Sequence, residues 1–298
     1  MIQFDPTKMS WGHKWYNIPF IWNDLNTMGR GITVAVIDTG VDNQNEDLIS
    51  NIHESSRSFI DNDLSITDVV GHGTKMAGII GATGKHKVYG VAPECKLLIL
   101  KASNQERGPD VKPFIDALNY ASSIQEVDIV SFSSVFDNDV NLKGAVEKCI
   151  NNDKIVVASI GDARNFIGNP NGPDDDTFPA CYTGVIAVGA FDQQGKLCNF
   201  SNWNQALSFL APGDDYILTT GLDDSTAMGG QTSIAAAFTS GCLAILLSYA
   251  KIKSITPKDC INAIFCTCDD YGPTIGKDIQ SGYGLMNLRN AIAKIKKP

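Results

Sequence analysis

Asp38, His72 and Ser233 are the residues of this 298-residue chain best suited to do chemistry together. A serine hydroxyl is a weak nucleophile near neutral pH. It needs a base to take its proton and a carboxylate to orient that base. Each of the three sits beside glycines and small residues, in Val34-Ala35-Val36-Ile37-Asp38-Thr39-Gly40, Gly71-His72-Gly73-Thr74 and Gly230-Gln231-Thr232-Ser233-Ile234-Ala235. Each segment also has a plain structural reading: a strand-ending turn at Asp38, a helix-entry residue at His72, and a helix N-cap at Ser233 with Thr232 as its competitor. As a set they point to acyl transfer through a serine nucleophile. A nucleophile at a helix start also has free N–H groups and the helix dipole at hand for developing negative charge. The other histidines, His13, His53 and His86, lie in polar or irregular stretches and are expected at the surface.

The elements that must hold these residues alternate between strand and helix. Ile32 to Ile37 is continuous and β-branched, as in a strand buried on both faces, and Leu97 to Leu100, Val127 to Phe132, Ile155 to Ile160 and Val185 to Val188 share that character. Helical patterns run over Thr74 to Ile80, Val111 to Ile124, Leu142 to Asn151, Ser233 to Tyr249 and Pro257 to Cys266, with a last helix after Gly282-Tyr283-Gly284. This alternation predicts an α/β fold, a parallel sheet with helices on both faces. Its ligands bind at the carboxyl ends of the strands, where Asp38 falls.

Composition narrows the function. The chain is 43% hydrophobic and 19% charged, enough for one large domain, with no Pro/Ser-rich linker or repeat. A formal charge of −9 argues against nucleic acid or an anionic membrane as the main partner. The first residues lack the pattern of a secretory signal, and the apolar run near Ala235 to Ala250 reads as a buried helix rather than a membrane span. Together these predict a cytoplasmic protein. The eight cysteines are then expected as reduced thiols, and Cys266-Thr267-Cys268 does not have a zinc spacing.

The three segments resemble the motifs of the subtilisin-like serine proteases, the subtilase family, whose triad runs in the same Asp, His, Ser order. The resemblance continues through Gly90-Val91-Ala92-Pro93, Phe200-Ser201-Asn202, Ala211-Pro212-Gly213 and Gly282-Tyr283-Gly284-Leu285-Met286-Asn287, covering roughly Trp15 to Ala293. Phe178-Pro179-Ala180-Cys181-Tyr182 looks most like the intracellular branch. The resemblance implies a single catalytic domain over residues 15–298 behind a short extension, residues 1–14, and a mostly parallel seven-stranded sheet flanked by helices. It also implies hydrolysis of peptides or proteins through an acyl-enzyme. A long inhibitory prodomain, as in secreted members, has no counterpart in the first twelve residues, so restraint would come from a short blocking segment, a poor oxyanion hole or a regulatory protein partner. Trp11, Trp15 and Trp22 are expected to anchor the N-terminal segment in the core.

The departures from the family pattern bear on competence. Where the family has Ala-Ala-Gly-Asn before the oxyanion hole, this chain has Ser159-Ile160-Gly161-Asp162. Asn donates an N–H, whereas ionised Asp only accepts. Either Asp162 is neutral and donates as an acid, or catalysis runs on backbone donors such as the Ser233 N–H. The strand lining the primary specificity pocket reads Ser133-Ser134-Val135-Phe136 in place of Ser-Leu-Gly-Gly. With Ile160 opposite, that predicts a narrower cleft and small P1 residues, or at the extreme a collapsed cleft in a pseudoprotease that binds peptides or a partner without turnover. Gln231 and Ala237 replace the usual Gly and Pro around the nucleophile, and the missing Pro predicts an unkinked helix. The resemblance also implies a calcium site. Asp47 matches its acid, but the loop Thr83-Gly84-Lys85-His86-Lys87-Val88 carries two lysines, which oppose a cation or supply the charge in its place. No other cofactor is expected.

Overall fold

Short β-branched runs separated by amphipathic helices build the sheet. The computed structural model describes residues 3–105, 108–163 and 174–297. Strands β1 (Thr33–Asp38), β2 (Arg57–Ser58), β3 (Lys96–Lys101), β4 (Val127–Phe132), β5 (Ile155–Ser159), β6 (Ile186–Phe191) and β7 (Leu207–Pro212) form one sheet in the order β2-β3-β1-β4-β5-β6-β7. Every pairing in it is parallel. The five expected strands are all present, Val127–Phe132 with the expected ends and the others with one or both ends shifted. Four features were not foreseen: the two-residue edge strand β2, β7, the antiparallel hairpin of β8 (Ile217–Thr220) and β9 (Thr226–Gly229), and two N-terminal helices, α1 (Trp11–Tyr16) and α2 (Ile18–Leu25).

The period-2 alternation of strand side chains divides the core in two. Val34 and Val36 of β1 pack on one face, among α3 (His72–Gly81) and α6 (Thr232–Lys253). Ala35 and Ile37 pack on the other, among α4 (Val111–Ser123) and α5 (Val140–Asn151). Helices α7 (Pro257–Phe265) and α8 (Leu288–Lys296) extend the first face. Helix α6 is apolar all round because it is surrounded. Although long and apolar enough to cross a membrane, 94% of its most apolar window is buried inside the domain. With Ala237 at the position of the family's Pro, it runs unbroken for 22 residues.

The described part of the N-terminal extension is packed into this core. Phe4 meets the rings of Trp22 and Tyr89 at 4.8 and 5.8 Å, and Met9 and Ser10 are buried. Trp22 is fully buried and donates its indole N–H to the Val91 carbonyl, whereas Trp15 stays partly exposed against Phe191. The surface expectation for His13 is corrected. It is 2% exposed, wedged between Trp22 and Phe238, and burial pulls its pKa down to about 4. Its local sequence is polar, but a six-residue helix turns this one side chain inward. His53 is half-buried, and His86 is partly exposed beside Glu46. All eight cysteines are free thiols.

Helix α3 is held against the hairpin through Gly78, where an added Cβ would stand 2.1 Å from the Thr220 hydroxyl and 2.9 Å from its backbone nitrogen. Gly78→Ala is therefore expected to destabilise the fold by about 1–3 kcal/mol, the usual cost of overpacking. Urea unfolding of a Ser233→Ala protein, which cannot digest itself, with and without this change measures it.

Candidate active site

Alternation along β1 sends Asp38, its last residue, to the same face as Val34 and Val36, the face on which α3 lies. His72 is the first residue of that helix. Its Nδ1 meets Asp38 Oδ1 at 2.7 Å, and the Thr39 N–H donates to the same oxygen at 2.7 Å. A carboxylate partner places the ring proton on Nδ1 and leaves Nε2 as the base. Two glycines permit this approach. Gly40 has φ +108°, and an added Cβ at Gly73 would lie 2.3 Å from the Gly40 carbonyl oxygen. The Gly73 N–H donates to the Thr39 hydroxyl at 2.8 Å, tying helix start to strand end.

Asp68, which sequence reasoning missed, holds the start of α3. It is buried and accepts the N–H groups of Val70, Gly71 and Thr74 together with the Thr74 hydroxyl. An acid four residues before a helix-entry histidine was the available signal, since carboxylates satisfy the free N–H groups of a first turn.

Ser233 is the second residue of α6 and is nearly buried. Its hydroxyl donates to the Ser133 carbonyl at 3.2 Å, so its proton must swing from that carbonyl before His72 can take it. Gln231, two residues earlier, has φ +137°, a region that favours glycine, and its N–H is held by the Gly213 carbonyl at 2.8 Å.

The triad opens on a cleft of about 550 Å³ at the carboxyl end of the sheet. Ser133, Ser134, Val135, Ser159, Gly161 and Asp162 line it, with Thr177, Phe200 and Asn202 beyond them. Two expected wall residues turn elsewhere. Ile160 is wholly buried with Val156 and Ala158 on the α4–α5 face, as strand alternation requires, and presents only its carbonyl, to the Thr177 hydroxyl at 2.7 Å. Phe136 packs against Phe114 and Phe132 while its backbone exchanges hydrogen bonds with Phe178. Of the enlarged side chains, Val135 and Gln231 line the cleft, whereas Phe136 and Ile160 do not. A larger hollow of about 1030 Å³ lies under the amino-terminal ends of β5 and β6, away from the triad.

Asp162 follows Gly161, whose φ of +104° turns the chain from β5 towards α6. Its Oδ1 accepts the Thr232 N–H at 2.7 Å, and the Gly161 N–H donates to the Thr232 hydroxyl at 3.2 Å. This loop is thus strapped to the residue beside the nucleophile. Burial raises the Asp162 pKa to about 6, against the opposing pull of the Thr232 donors and of His72.

The residues at the expected calcium position do not fit that ion. Asp47 is buried and its two oxygens already accept four donors: the Thr83 hydroxyl and the His86, Lys87 and Val88 N–H groups. Burial pushes its pKa up, but these hydrogen bonds outweigh it and hold the carboxyl below its ordinary value. No cluster of three or more His, Cys, Asp or Glu side chains suited to a metal occurs among the described residues.

Comparison with known proteins agrees with this geometry. The subtilase family model matches residues 29–284. An intracellular serine protease of Paenibacillus polymyxa is 37% identical over 242 residues, 78% of this chain and 71% of that protein. The major intracellular serine protease of Bacillus subtilis (strain 168) is 35% identical over 252 residues, 82% and 77% of the two chains. Subtilisin DY of Bacillus licheniformis is 28% identical over 282 residues, 93% and 97%. None of these matches supports the non-catalytic reading. With an Asp-His pair in bonding contact, a serine at a helix start in the same open cleft and a family match over most of its length, this chain belongs to the subtilase family of serine endopeptidases.

Proposed function

We propose that this subtilase is an intracellular endopeptidase of restricted range whose oxyanion hole is titrated by Asp162. The observation that carries the reading is the Asp162 carboxyl in the catalytic cleft, bonded to the backbone of the residue before Ser233. Ser233 attacks the substrate carbonyl, and His72 takes its proton at Nε2 while Asp38 holds the ring. The tetrahedral oxyanion draws on the Ser233 N–H, which lies in the first turn of α6 where no intrahelical acceptor exists. Protonated Asp162 adds an O–H donor, and ionised Asp162 adds a repelling charge. His72 then returns the proton to the leaving amine, and water hydrolyses the acyl-enzyme. Intracellular location is supported by the two intracellular serine proteases it resembles and by the acidic composition.

Asp162 loses its proton as pH rises through about 6, so the donor is present below that value and lost above it. The rate is expected to fall with rising pH on that account. Asp162→Asn should abolish this alkaline fall and raise kcat at alkaline pH. The scale is about 10²–10³, the known cost of removing an oxyanion-hole donor in subtilisin. An unchanged pH–rate profile in the variant would sink the proposal. The nucleophile is tested separately with a serine-reactive fluorophosphonate: stoichiometric labelling is expected at Ser233, and none in His72→Ala. Restricted range rests on Val135, which is 44% exposed at the cleft wall where the family has glycine. A peptide-library profile should favour small P1 residues, and Val135→Gly should widen it; dominance of bulky aromatic P1 residues in the parent enzyme would refute this.

A further inference from the structure

The loop Thr83–Val88 is polarised. Its N–H groups from His86, Lys87 and Val88 converge on Asp47 at 2.9, 2.6 and 2.9 Å, and the Thr83 hydroxyl joins them at 2.9 Å. Its carbonyls from Gly84 and Lys85 turn to the Lys8 ammonium at 3.0 and 3.2 Å. Lys8 is fixed in place by its own backbone, whose carbonyl accepts the Tyr89 N–H at 2.9 Å. Gly84 has φ +72°, and an added Cβ there would strike the Tyr89 ring, so the loop folds tightly over that side chain. At the outer rim the Lys87 ammonium bonds the Asp224 carboxylate, and His86 bonds Glu46.

We propose that Lys8 is a tethered cation, whose ammonium orders this loop in place of a calcium ion and makes the fold independent of divalent cations. Two chemical facts favour it. An ionised carboxylate offers about four acceptor sites, and Asp47 has four donors on them, so a calcium ion would have to displace hydrogen bonds already made. Calcium also needs six to eight oxygens, whereas an ammonium has three donors and needs only the carbonyls that face it. A dissociable ion stabilises in proportion to its free concentration. A cation carried on residue 8 does not, and it also pins the N-terminal segment over the loop. The inference does not depend on the role proposed for Asp162.

The test uses the full chain carrying Ser233→Ala to prevent self-digestion. The parent is expected to melt at the same temperature in chelator and in millimolar calcium, and to give no heat of binding when titrated with calcium. Lys8→Met should melt roughly 2–6 °C lower in both conditions, given the usual shift for a chain of this size. It should also be cut faster within Thr83–Val88 by an added protease. A parent that binds calcium, or whose melting temperature rises by more than roughly 5 °C with it, overturns the proposal. So does a Lys8→Met protein that melts and is cut like the parent. If Lys8→Met does not fold, the calcium titration of the parent decides alone.

Discussion

The contact between Asp38 and His72 requires the end of a central strand and the start of a helix to meet with almost nothing between them. A 2.7 Å bond between short side chains leaves no room for a Cβ at Gly73, which would lie 2.3 Å from the Gly40 carbonyl oxygen, and Gly40 in turn gives way to the Ile66 carbonyl of the neighbouring loop, 2.4 Å from where its own Cβ would stand. The remaining geometry follows from holding these two ends together. The Thr39 hydroxyl takes the Gly73 N–H, Asp68 takes the other free N–H groups of the turn, and the loop that carries Asp68 is itself braced. Its brace is Lys101, the strand neighbour of Asp38, which is 1% exposed and bonds the Asp63 carboxylate and the Thr67 carbonyl at 2.8 Å each. A buried ammonium is costly unless fully partnered, so this brace holds only in one arrangement. The imidazole therefore sits on a pre-set frame and need not be ordered by substrate.

How much of this was legible in the sequence depended on the range of the interaction. Short motifs exposed the triad because glycine and a catalytic side chain must be neighbours in sequence as well as in space. Strands such as Val127–Phe132 were legible because both faces are buried, leaving a continuous apolar run. β7 was not, since Ser208 interrupts its run; there the hydroxyl accepts the Ala187 N–H instead of reaching water. Ile160 was assigned to the cleft by position alone. Counting the two-residue alternation from Val156 would have sent it to the opposite face. His13 was misplaced because burial of a lone polar residue depends on partners far away in sequence, here Phe238 and Trp22.

Asp162 and Asp47 show how one residue type is used in opposite ways. Both carboxyls are drawn out of water, which favours the neutral form. Asp47 receives four donors and is held in its charged form. Asp162 receives the Thr232 N–H and hydroxyl, too little to offset burial, and its pKa rises to about 6. The balance between desolvation, which is heavier at Asp162, and the hydrogen bonds aimed at the carboxylate, which are more numerous at Asp47, decides the state of each.

That difference has a consequence for stability as well as rate. A carboxyl whose folded pKa lies above its ordinary value of 3.8 binds its proton more tightly in the native state. Its contribution to stability is complete below that ordinary value and is lost as pH rises through about 6. Asp47 runs the other way, contributing above the ordinary carboxylate range and less as pH falls through its depressed value. The catalytic loop is thus favoured by acid and the Thr83–Val88 loop by its absence. Between these limits the Asp162 proton is present while Asp47 remains ionised. In that mildly acidic window the protonated Asp162 that the proposed mechanism calls for coexists with an ionised Asp47 under the Thr83–Val88 loop, so on that proposal the donor and the loop's anion share one pH range.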